Sequence, residues 1–225
     1  PSDRGPDLSA LGHNVVVIGS GTTPDRHDER APTMSTASAT ELVDQINEAA
    51  SGVELSGERA VVRETLAKHR TLLRYTVREL SDDDARRRAT TSALTLAGLL
   101  KHVIDVEEGW VDFILTGVVA GAENWETWTA DDGAGDEMRD DFTLGPDDTV
   151  ASLLARYTEV AARTDELVAT VDLDLSHRLP PAPWFPGEAH WSARHVFAHI
   201  IGETAQHSGH ADIIRESLDG QKSMG

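Results

Sequence analysis

From about Glu41 onward, apolar residues recur every three to four positions, the period of amphipathic helices. Leu42, Ile46 and Ala49 begin the pattern. A stronger stripe, Val62, Leu66, Leu73 and Val77, predicts a helix over about 58–80. Ser81-Asp82-Asp83-Asp84 then reads as a helix start, with Ser81 as N-cap and acids in the first turn. The next stripe is Leu96, Leu99, Val103, Val106, Trp110 and Phe113. It predicts a helix over about 93–117, capped by Ser92 and ended by Gly117 and Gly121. A third long helix, about 147–171, starts at Pro146-Asp147-Asp148 and uses Val150, Leu153, Leu154, Tyr157, Val160, Ala161 and Leu167. A Pro-rich loop, 179–187, leads to a last helix over about 193–218 that stops at Gly220. Helix follows loop throughout, and two connections are long enough to be crossovers. The expected fold class is all-α, a four-helix bundle.

Two stretches break the period. Residues 1–40 carry Pro1, Gly5, Pro6, Gly19, Gly21, Pro24 and Pro32 among Ser and Thr. Val15–Ile18 can form a short strand, but Gly19-Ser20-Gly21 lacks the third glycine of a dinucleotide-binding turn and reads as a loop. The expected organisation is a poorly structured N-terminal extension, 1–40, followed by a bundle domain, 41–225. Met34 is a candidate start, which would make 1–33 an upstream extension. The second stretch, 123–148, holds ten acids against one base, Arg139, with Trp125, Trp128 and Phe142 interleaved. It reads as a solvated connector with buried aromatics; a lid is the alternative.

Composition narrows the function. The chain's 225 residues include 39 acids and 20 bases, a formal charge of −19. That balance disfavours nucleic acid and anionic membrane surfaces as partners. No run is long and apolar enough for a transmembrane span, and no basic-then-apolar leader opens the sequence, so a cytoplasmic location is expected. There are no cysteines. Disulfides, thiolate-bound zinc and a protein thiol nucleophile are therefore excluded.

Candidate chemistry lies within the apolar stripes. The inward row of the last helix is Val196, Ile200, Glu203, His207, His210 and Ile214. Glu203 and His207, four apart, share a face, and His199 extends the row by a further turn. An ionised Glu on a core face is costly unless paired, hydrogen-bonded or metal-bound. His102 lies at the edge of the second stripe, beside Leu99 and Val106. Inward His and Glu on two bundle helices suit a divalent metal with open positions. Spacing leaves a second reading: a Glu203–His207 ion pair, with His102 unrelated.

The runs Leu99-Leu100-Lys101-His102-Val103 and Gly202-Glu203-Thr204-Ala205-Gln206-His207-Ser208-Gly209-His210 resemble the DinB/YfiT-like metalloenzyme superfamily, over about residues 58–220. Within it the chain resembles the actinobacterial mycothiol-dependent S-transferases. The resemblance implies an up-down-down-up bundle with a divalent metal bound by one His of the second helix and a His-x-x-x-His pair of the last. Glu203 stands where the first His of that pair is usual, as in the mycothiol-dependent maleylpyruvate isomerase pattern. The implied metal ligands are His102, Glu203 and His207. His210 is a candidate catalytic proton carrier, a supporting group or a replacement ligand.

The implied cofactor is a divalent metal, zinc first, with nickel, iron or manganese compatible. The implied co-substrate is a low-molecular-weight thiol, mycothiol by this resemblance, which attacks a small electrophile in a transfer or a thiol-assisted isomerisation. A homodimer is compatible with such a bundle. The alternative is a non-catalytic metal-binding bundle acting as a stress-linked binding or interaction protein. Around the site, Asp105 is placed to orient an imidazole. Asp212 and Arg215 read as a surface pair. Trp184, Phe185 and Trp191 read as packing or as a substrate mouth, and Arg194 as solvated or as a contact for an anionic substrate.

Overall fold

The structure is a computed structural model that describes residues 55–120, 122, 142–185 and 187–223. All of them fall in one compact unit, Thr36–Gly225. The expectations for residues 1–40, for the helix opening at Glu41, for Gly121 and for Trp125 and Trp128 lie outside the described residues.

Among the described residues, four long helices form a bundle. Helix α1, Gly57–Thr76, is followed by the short α2, Asp82–Ala85. Helix α3 spans Leu96–Thr116 and α4 spans Val150–Thr170. A two-stranded antiparallel hairpin, β1 Ser176–Arg178 and β2 His190–Ser192, precedes α5, Ala193–Asp219. Among the described residues no helix is long and apolar enough to cross a membrane.

Several boundaries differ from the periodic reading, each for a local reason. Helix α1 stops at Thr76 rather than near 80: Glu79 takes a left-handed backbone, φ 56°, and Arg215 claims the carbonyls of Thr76 and Arg78. Ser81 caps α2 as expected, accepting from the Asp84 amide. Ser92 does not cap α3. Its hydroxyl accepts from Leu94 N in a tight turn, and Thr95 caps the helix by accepting from Gly98 N. Helix α4 starts after Thr149, whose reciprocal hydrogen bonds with Ser152 make a capping box, while Asp148 folds back onto the Gly145 amide. Gly117 and Gly220 end α3 and α5 in the left-handed conformation, φ 73° and 80°. The hairpin was not foreseen. It docks through His177, whose Nε2 donates to the Ile114 carbonyl at 3.0 Å, so an imidazole serves an orphan carbonyl at the end of α3.

Side-chain contacts fix the helix directions. Glu58, His69 and Thr76 of α1 meet Arg194, Ser208 and Arg215 of α5 in the same order, so these helices are parallel. Asp105 and Asp112 of α3 meet Arg156 and Arg163 of α4 in the same order, so that pair is parallel as well. His102 and Trp110 of α3 meet His207 and His199 of α5 in reverse order, an antiparallel pair. The bundle is therefore up-down-down-up. The end of α3 and the start of α4 therefore lie at opposite ends of the bundle, about 30 Å apart along a helix of this length.

The core has two apolar halves. One gathers Leu73, Leu99, Val103, Tyr157, Val160 and Ile214; the other gathers Leu66, Trp110, Phe113, Val168, Val196 and Ile200. Between them lie the buried polar side chains of Arg70, Glu107, Thr164 and Thr204, from α1, α3, α4 and α5 in turn. Glu107 accepts from Arg70 Nε at 3.2 Å and from Thr164 Oγ1 at 2.6 Å. Arg70 also reaches Asp165 at 2.8 Å. These hydrogen bonds tie α1, α3 and α4 together at one level of the bundle.

Candidate metal centre

The groove between α3 and α5 holds the sequence-predicted site residues. His102 sits in the second turn of α3, and Glu203 and His207 occupy successive turns in the middle of α5. Because the helices are antiparallel and in register here, His102 and His207 meet edge to face, ring centroids 4.8 Å apart. One donor atom from each of His102, Glu203 and His207 lies within 4.8 Å of the others. Glu203 Oε2 is 3.5 Å from His207 Nε2. For bonds of about 2.1 Å, tetrahedral zinc sets neighbouring ligands about 3.4 Å apart, so this pair already has the spacing of two ligands.

Charge and burial favour the same use. His207 is buried, and His102 and Glu203 are half-buried. The hydrogen bond from His207 holds the Glu203 carboxyl below the usual carboxylate range; burial opposes this, and the neighbouring His199, His207 and His102 reinforce it. An ionised, acceptor-only group therefore stands in a groove lined by imidazoles. Burial pushes His199 below the usual imidazole value.

His199 and His210 flank the group. His199 Nε2 faces the other carboxylate oxygen, Oε1, at 3.8 Å. His210 Nδ1 lies 3.4 Å from His207 Nδ1, behind that ring rather than on the Nε2 edge that faces Glu203.

Phe142, one of the aromatics that the 123–148 connector was expected to bury, is half-buried against the two imidazoles; the sequence did not signal those partners. Its ring stacks on His102 with centroids 4.2 Å apart and lies 6.0 Å from His207. Gly98 permits that approach: a Cβ there would stand 2.7 Å from the Phe142 carbonyl oxygen. Phe142 follows an acidic stretch with no periodicity, so no pattern could have placed it.

Other expectations resolve differently. Asp105 orients no imidazole: Lys101 and Arg156 each take one of its oxygens at 2.6 Å. Arg215 is no surface partner of Asp212. It is buried, holds the carbonyls of Thr76, the last residue of α1, and of Arg78 just beyond it, and grips Asp219, while Asp212 accepts from Ser223. Arg194 pairs with Glu58 and Asp174. Phe185 and Trp191 pack with Trp110, whereas Trp184 stays exposed. Glu107 was overlooked, although its spacing, four after Val103 and three before Trp110, marks it as inward.

The fold is thus an up-down-down-up helical bundle whose α3 and α5 bring three donor side chains together. Residues 61–220 match the mycothiol S-transferase family, a span from the first turns of α1 to the end of α5, and the chain belongs to that family. No curated protein matches the sequence.

Proposed function

We propose that the chain is a divalent-metal-dependent transferase that activates mycothiol, or a close low-molecular-weight thiol, for attack on a small electrophile. The convergence of three donor atoms on a half-buried groove carries the metal part of this reading. The family carries the thiol. His102, Glu203 and His207 would hold the ion, zinc first, with nickel, iron and manganese compatible with the same donors. Such an ion with an open position lowers the pKa of a thiol presented to it.

The chain's own residues supply the rest. With no cysteine of its own, the protein must receive the sulfur with its substrate. In the overall transfer the thiol S–H bond breaks, a C–S bond forms, and the leaving group departs with the electron pair and takes up a proton. Phe142 shields one side of His102 from water. His210, placed behind His207, holds that ring's tautomer and so presents Nε2 to the groove. From the same place His210 would also serve as the catalytic proton carrier.

The test joins metal content to turnover. Purified chain should hold about one divalent ion, and His102→Ala and His207→Ala should lose most of it. Saturating zinc at about 100 times its Kd should add about 2.7 kcal/mol of stability, and a chelator should remove it. Mass spectrometry of a thiol panel with candidate electrophiles should show adducts with the intact protein and none with the two variants. Metal-free, fully folded protein with undiminished turnover would reject the reading. Bound metal without turnover of any thiol would favour a non-catalytic binding bundle.

A further inference from the structure

His199 stands outside the converging group, yet its surroundings are built with care. Its Nε2 faces Glu203 Oε1 at 3.8 Å, longer than the ~3.2 Å limit of a hydrogen bond, with no other acceptor closer to it among the described residues. Two aromatic rings restrain the imidazole. Trp110, buried on α3, meets it edge to face at 5.0 Å, and Trp191, from β2, lies at 4.9 Å. Trp191 is fixed in turn by stacking on Trp110 at 4.8 Å and on His195 at 4.3 Å. Phe185 closes the cluster at 5.5 Å from Trp191. A histidine in such a frame has little rotational freedom, and the acceptor before its Nε2 is Glu203.

We infer that His199 is a positioning residue: it donates to Oε1 of Glu203 and leaves Oε2 for a cation shared with His102 and His207. The inference rests on the metal reading above. A carboxylate with one oxygen held by an N–H donor offers a metal a single oxygen. Released, it can turn and offer both, filling a position that a thiol needs. The aromatic cluster then has a purpose beyond packing. It links the β-hairpin and α3 to the orientation of one carboxylate on α5. Groups outside the ligand set often act in this way, and their loss typically weakens metal binding 10–100-fold.

Cobalt(II) reports coordination directly, so the test uses the full chain loaded with it. Affinity is measured by chelator competition and geometry by the visible absorption spectrum. His199→Ala should bind cobalt 10–100-fold more weakly, with a weaker, shifted visible band as the coordination number rises. His199→Gln, whose amide N–H can replace the imidazole donor, should recover most of the affinity and the wild-type band. Cobalt binding and spectrum unchanged in His199→Ala would overturn the inference while leaving the metal reading intact. Equal impairment in the Ala and Gln variants would assign His199 to packing alone and overturn it as well. A wild-type chain that takes up no cobalt would overturn both readings together.

Discussion

Gly98 occupies the third position of α3, where alanine would ordinarily favour a helix by about 1 kcal/mol. Here the added methyl would meet the Phe142 carbonyl oxygen at 2.7 Å and the Thr95 hydroxyl, the helix cap, at 3.0 Å. Overpacking against backbone costs about 1–3 kcal/mol, enough to reverse the propensity gain. Gly98→Ala should therefore lower the Tm, and near-ultraviolet circular dichroism should show the Phe142 ring displaced from His102. A rise in Tm would mean that Phe142 does not sit against α3 in solution. His102, Glu203 and His207 were legible as candidates because helical spacing exposes polar residues on an apolar face. Phe142 was not, because stacking from a loop leaves no period.

One buried cation ties the end of α1 to α5. Arg215 reaches the carbonyls of Thr76 and Arg78 at 2.7 and 2.9 Å, and Asp219 grips its guanidinium at 2.9 and 3.0 Å. Burial works against the Asp219 charge, but the Arg215 hydrogen bonds and the Gln221 amide outweigh it and hold the carboxyl below its usual value. A depressed carboxylate stabilises the fold above its unfolded pKa, near 4, and that contribution is lost as pH falls through the folded value. Asp219→Asn should cost about 1 kcal/mol at neutral pH, allowing for its partial exposure. Urea titrations of the two proteins should converge as pH falls below about 4. A gap that persists at low pH would assign the loss to packing. The helix ends were less legible than the helices for the same kind of reason. Arg215 and Glu79 truncate α1, and Thr95 displaces Ser92 as a cap, through contacts that hydrophobic periodicity does not encode.

Across the whole molecule, the polar layer between the two apolar halves is the feature that most constrains how the helices fit. Glu107 is fully buried and receives hydrogen bonds from α1 and α4. Glu107→Gln leaves the Arg70 charge without its main counter-ion and should cost about 3 kcal/mol, read as a lower urea midpoint. Adding Arg70→Met to Glu107→Leu should recover most of that loss, since an apolar layer needs no partner. Failure of the double variant to recover would show that the layer also fixes register. The all-α architecture was readable because four amphipathic stripes have few ways to bury themselves. The hairpin was not: His177 reaches the end of α3 from a short strand within polar, Pro-rich sequence.

The parallel pairing of α1 with α5 also determines when the domain can assemble. The contacts that join them, Glu58 with Arg194 and His69 with Ser208, close chain separations of 136 and 139 residues. A helical protein usually folds fast because its partners are neighbours in sequence. Here the first described helix waits for the last, and loop-closure entropy must be overcome before that interface forms. During synthesis α3 and α4 can pair early, while α1 stays exposed until α5 has been made. Two residues of the candidate site, Glu203 and His207, are on that final helix, so a chain stalled before it lacks both the α1–α5 interface and two of the three converging donor residues.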